Sequence, residues 1–226
     1  MGLGFNRLGR GGRSFLREVA IIIVGVLIAL ALEQLVSGWR ERQRTEDIRA
    51  SMNEEIADFA NVLQIRIAAG PCILAKLDAI DAWLARAGAA GPLRNVGRAP
   101  FYFSSRGAWN ADAADQLARH LGPPTFRIYG ETYQGMAEFA AISQREQDFW
   151  IVLQTLERQD EPVAGERRWR LIEASAGARN ANLLLSAIAQ QMLGHAQTLR
   201  ITPNTDLQPS AVRERPLCLP LETGDG

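Results

Sequence analysis

Few residues in this chain carry the chemistry that builds enzyme sites, and their spacing limits what they can do. Two cysteines, Cys72 and Cys218, stand 146 positions apart, so they form no C-x-x-C redox or metal motif. In an oxidising compartment such a pair is most simply a disulfide; the other reading is two unrelated buried thiols. The two histidines, His120 and His195, are too few for a zinc site with these cysteines, and His195 on an apolar face reads as a hydrogen-bonded core side chain. Glu54-Glu55 with Asp58, and Asp78 with Asp81, fit solvated helix faces better than paired catalytic acids. Arg167, Arg168 and Arg170 form a small basic cluster, read as salt-bridged surface before a seat for an acidic partner or lipid head.

The catalytic templates find no match. H-E-x-x-H, G-x-S-x-G and the Walker loop are all missing; Gly4 to Gly9 has the loop's spacing, but Arg10-Gly11 replaces its Lys-Ser/Thr. No enzyme activity and no cofactor is therefore expected. With 25 Lys+Arg against 25 Asp+Glu in 226 residues, the charge balance gives no support to a nucleic-acid partner. At 47% apolar residues the chain is not intrinsically disordered. Lys76 is the only lysine; the other 24 cationic residues are arginine.

The remaining constellation lies in the element that would position it. Val19 to Leu32 is an unbroken apolar run, bracketed by Arg17-Glu18 and Glu33. Extended to Gly38 it has 20 residues, or ~30 Å of helix, about one bilayer core. Phe15 and Trp39 then stand near the two interfaces, where aromatic side chains are favoured. Glu33 is the costly residue. It must lie shallow enough to reach headgroups, be protonated, or meet a partner. Gly25, Ala29 and Glu33 fall at i, i+4 and i+8 on one face, where small residues admit a second helix and a polar group bonds across. These three are the candidate transmembrane-helix contact.

A cleaved signal peptide is the main competing reading. Arg7, Arg10, Arg13 and Arg17 make a positive n-region, and Ala29-Leu30-Ala31 fits a cleavage site. The apolar pattern nevertheless continues into Leu35 and Val36. Orientation by flanking arginine is a tie, since Arg40, Arg42, Arg44 and Arg49 follow the span. A Cys72–Cys218 disulfide would break the tie toward a cytoplasmic N-terminus and a periplasmic main domain.

The remainder reads as helix, so the expected fold class is all-α: one N-terminal transmembrane helix continuing into a bundle of long helices with an extended C-terminal tail. The expected boundaries are 1–18 for a basic tail, 19–38 for the span, 39–201 for the helical domain and 202–226 for the tail. Ile48, Met52, Ile56, Phe59, Leu63 and Ile67 recur at helical intervals. Gly70-Pro71 is expected to stop or kink that helix. A second helix carries Ile73, Leu77, Ile80 and Leu84, with Trp83 beside it. A loop follows from Gly88 to Gly107, holding Phe101, Tyr102 and Phe103. Further helices are expected at about 108–121, 124–157 and 166–199. The fourth of the five carries Tyr129, Tyr133, Met136, Ala140, Ser143, Trp150 and Leu153; the last places Leu184, Ile188, His195 and Leu199 on one face.

Phe15-Leu16-Arg17-Glu18 followed by VAIIIVGVLIALALEQ, Pro71-Cys72 before LDAIDAWL, and Trp109 opening a helix together resemble a family of uncharacterised bacterial single-pass membrane proteins. The likeness is clearest over residues 15–85. It implies a basic N-terminus, one span and a helical extracytoplasmic remainder in the inner membrane, and it implies no activity. The function expected is an interaction or accessory protein of the cell envelope, contacting the bilayer and a protein partner or its own copy. The alternatives are a small-molecule sensing module, with a ligand near Tyr129, Tyr133, Trp150 or the Phe101–Phe103 loop, and a secreted periplasmic protein.

Overall fold

A computed structural model describes residues 11–86, 92–102, 104–158, 161–204 and 215–223. Arg7, Arg10, Phe103, the start of the central loop and most of the C-terminal tail lie outside the described residues. The described residues are predominantly helical, so the all-α class holds. The chain divides into two units, one up to Ile48 and one from Arg49.

Helix α1 (Gly11–Leu84) contributes to both. In the first unit it carries one helix window long and apolar enough to cross a membrane, with mean hydropathy 2.7. From Ile21 to Trp39 every large apolar side chain is exposed, 45% at Val36 and 69% at Leu35. A helix greasy on every side needs a hydrophobic surrounding, since it has no polar face to offer water.

In the second unit α1 has the opposite character. Met52, Ile56, Phe59, Leu63, Ile73, Leu77, Ile80 and Leu84 are buried along one stripe. The expected break at Gly70-Pro71 is corrected: Pro71 lies inside α1, which joins the two predicted helices into one. Pro71 is exposed, so its ring faces solvent, while Ile65, Ala69 and Ile73 bury the other side. Packing on that side holds the helix through one missing hydrogen bond.

Helix α2 (Ala111–His120) starts at Asn110, whose side chain accepts from the Ala113 amide. Helix α3 (Pro123–Gln154) starts with prolines, where a missing amide costs nothing, and ends in a 3-10 turn over Thr155–Arg158. Helix α4 (Gly165–Thr198) follows. Tyr129 meets Asn53 and Glu146 meets Arg66, so α3 runs in the direction of α1. Asn182 meets Arg66 and Arg179 meets Asp78, so α4 runs back.

The expected α4 face needs correction. Leu184 is 47% exposed, and the buried seam is instead Ala174, Ala178, Ala181, Leu185, Ala189, Met192 and Ala196. Alanines make this seam because the helices approach closely. A Cβ at Gly177 would stand 2.5 Å from the Phe149 ring, and one at Gly135 would overlap Met192. Among the described residues there is also one strand pair that the sequence does not announce. β1 (Leu93–Arg94) pairs antiparallel with β2 (Glu222–Thr223), Leu93 opposite Thr223. Two residues are too few to show alternation. The tail is likewise not wholly extended, since Pro216–Cys218 form a 3-10 turn.

Candidate functional site

The candidate contact face lies in the first unit. Helical geometry over Gly25, Ala29 and Glu33 puts all three on one side of α1, and all three are exposed. Nothing stands within 4 Å of the position a Gly25 Cβ would take. The face therefore presents backbone at Gly25, a methyl at Ala29 and a carboxylate one turn on. In hydrocarbon, that arrangement admits another helix closely and gives it an acceptor or, once protonated, a donor.

The second unit turns a few polar groups inward. Arg66 Nη1 and Nη2 donate to the two Glu146 carboxylate oxygens at 2.5 and 2.6 Å, and Nη2 also donates to Asn182 Oδ1 at 2.8 Å. All three residues are buried, so this fork ties α1, α3 and α4 together. Burial pushes the Glu146 carboxyl up from the usual carboxylate range, against the pull of Arg66. Arg66 Nε is buried with no hydrogen-bond partner among the described residues.

Glu55 has a structural use that its spacing did not reveal. Its carboxylate accepts from Ser105 Oγ at 2.6 Å, the Gly107 and Ala108 amides at 2.9 and 3.2 Å, and the Tyr133 hydroxyl at 2.8 Å. It fixes the central loop on α1. Burial, reinforced by the Glu55 bond, pushes the Tyr133 hydroxyl well above the ordinary phenol range. Tyr129 donates to Asn53 Oδ1 at 2.6 Å, and Trp109 stacks on Tyr133 at 5.3 Å. Tyr129, Tyr133 and Trp150 are thus committed to packing. Phe101 lines a cleft of about 570 Å³ with Gly97, Pro100, Arg215 and Leu217.

The other sequence candidates fall apart from one another. His195 Nδ1 lies 3.3 Å from Thr132 Oγ1, with Nε2 3.8 Å from Glu131. His120 Nδ1 lies 2.9 Å from the Gln116 carbonyl. Asp78 and Asp81 both grip Arg179 at 2.8 Å. Burial lowers the Arg179 pKa, but the hydrogen bonds it donates to Asp81 and Asp78 outweigh that and raise the net value. Glu54 is exposed, and Asp58 accepts from Asn204 at 3.0 Å. In the basic cluster Arg170 pairs with Glu166 at 2.5 Å, and Trp169 between the arginines is 71% exposed.

Cys72 and Cys218 do come together. Their sulfurs stand at disulfide distance, 2.11 Å, with Cα atoms 4.9 Å apart. One turn along α1, the Lys76 ammonium donates to the carbonyls of Asn95, Pro216 at 3.3 Å and Leu219 at 2.7 Å. Burial pulls the Lys76 pKa below its ordinary value, although Glu157 and Glu222 oppose it.

No protein-family model matches this chain, and no curated protein or solved structure is similar to it. Sequence reasoning missed three elements: the Arg66–Glu146–Asn182 fork, the Glu55 anchor and the Lys76 clamp. A single charged residue inside an apolar stretch was the available signal for Arg66, within LQIRIAA, and for Lys76, within ILAKL.

Proposed function

We propose that this chain is a non-catalytic, membrane-anchored interaction protein of the bacterial cell envelope, with its N-terminus cytoplasmic and its helical unit periplasmic. One observation carries the reading: α1 leaves every large apolar side chain from Ile21 to Trp39 exposed, whereas further along the same helix Met52, Ile56, Phe59, Leu63 and Ile73 are buried. Lipid is the surrounding that such a surface fits. Glu33 on the face of Gly25 and Ala29 supports association with a second transmembrane helix, from a larger membrane partner or another copy. The near-bonded Cys72–Cys218 pair supports an oxidising location for the second unit.

The same apolar window fits a signal sequence, and that reading has Ala29-Leu30-Ala31 in its favour. Sequencing the N-terminus of the mature chain from the membrane fraction separates the two. A mature chain beginning near residue 32 in the soluble fraction sinks the anchor. The contact face is tested by Glu33→Leu, with cross-linking in native membranes. The expected result is unchanged insertion with association weakened by about 0.6–2 kcal/mol, the range of polar contacts between membrane helices. Unchanged association would return Glu33 to a shallow, headgroup-facing role.

A further inference from the structure

The segment 215–223 is attached to the second unit in an uneven way. Of its nine side chains Leu217 is buried in the core, with Cys218 and Leu221 partly buried against it; Arg215, Pro216, Leu219, Pro220, Glu222 and Thr223 are exposed. Its polar hold is mostly through its backbone: the Lys76 ammonium on the carbonyls of Pro216 and Leu219, Asn95 Nδ2 on the Pro220 carbonyl at 3.4 Å, and a two-residue ladder to β1. Arg215 adds one bond to the Tyr102 hydroxyl. Beneath it the loop is shaped for close approach. Gly97 has φ +64, and a Cβ there would stand 2.6 Å from the Leu217 amide nitrogen. A ladder of two pairs is marginal by itself. Without a covalent tie the tail must recapture its seat across a 146-residue separation. Cys72 and Cys218 are half-buried at the edge of the core cluster.

We propose that residues 215–223 are a redox latch: with Cys72–Cys218 bonded, the tail closes over the loop at 93–101, and a dithiol reductant opens it. The reaction is thiol–disulfide exchange. One thiolate of the dithiol attacks a Cys sulfur, the S–S bond breaks, and the displaced cysteine takes up a proton. The second thiolate of the dithiol resolves the mixed disulfide. The dithiol ends oxidised to its own disulfide, and Cys72 and Cys218 end as two thiols. Opening uncovers the β1 edge and the Leu217 socket while α3 and α4 stay folded. This goes beyond the membrane-anchor reading and does not depend on it.

The test is amide hydrogen exchange on the full-length chain in detergent, oxidised and after treatment with dithiothreitol, with Cys72→Ser/Cys218→Ser as a second route to the untied state. The latch predicts exchange faster by roughly tenfold or more at the Leu217–Leu219 amides and in 93–97, with α3 and α4 protection unchanged. Protection preserved within about twofold in both segments would mean that Lys76 and Leu217 hold the tail alone, which overturns the latch. Protection lost throughout α3 and α4 would make the bond a global staple, which also overturns it. Free thiols in the chain isolated from oxidising conditions would overturn the closed state itself.

Discussion

Isoleucine, leucine and valine do opposite things in the two units of this chain. Before Ile48 they cover every side of α1 and face outward; after Arg49 those on α1 such as Ile56, Leu63, Ile73, Leu77 and Ile80 face a core. The residue types are the same, so hydrophobicity does not separate the units. What separates them is where the charges sit. Val19 to Leu32 has none, whereas the second unit alternates its stripe with Glu54, Asp58, Asp78 and other polar positions. The second unit also spends charge internally, at Arg66 and Glu146, where removal of one partner strands the other.

The sharpest way to break that contrast is at the buried fork. Arg66→Met leaves the Glu146 carboxyl without its guanidinium, and the expected loss is about 3–5 kcal/mol of unfolding free energy. Denaturant titration followed by circular dichroism measures it, and Arg66→Met/Glu146→Leu should recover most of the loss. Wild-type stability in the single variant would show that the fork does not hold the helices. In the first unit the matching experiment adds a charge instead. Leu27→Arg should cost insertion about 2.5–3.5 kcal/mol, read as movement from the membrane fraction, while leaving the second unit's thermal transition in place. A span indifferent to that arginine is not a span.

A smaller effect sharpens the difference between packed and unpacked helix faces. Gly177→Ala drives a methyl into the Phe149 ring and should destabilise by about 1–3 kcal/mol. Gly194→Ala meets nothing within 4 Å and should stabilise by up to about 1 kcal/mol through helix propensity. Thermal melts of both variants decide whether the α3–α4 approach is as close as described. The smallest effect concerns Lys76. Burial holds its pKa below 10.5, so in the alkaline window just beneath that value the unfolded chain binds more protons than the folded one. Stability relative to Lys76→Met should therefore rise with pH across the window. A flat difference would place the ammonium in water.

How much could be read from the residues follows from signal strength. The Met52–Ile56–Phe59–Leu63 stripe and the Tyr129–Tyr133–Trp150 stripe carry large side chains at helical intervals, and both are buried. The α4 seam was misread because alanine does not stand out in an alanine-rich chain, and Leu183, Leu184 and Leu185 in a row suit any face. Pro71 was overread, since its cost depends on which side of the helix it faces. The buried fork joins residues 80 and 116 positions apart, and no local pattern carries such pairing. Cys72 with Cys218 was legible only because there was no third cysteine to choose from.

One last consequence belongs to the cross-link. Once Cys72 and Cys218 are bonded, the covalent path along the chain has a short cut, and the 146-position stretch between them hangs from it as a side loop. Tension applied between the N-terminal helix and anything grasping the chain beyond residue 218 would run through the sulfurs. Helices α2, α3 and α4 would bear none of that load, and a mechanical pull that would otherwise unravel them would first have to rupture a covalent bond.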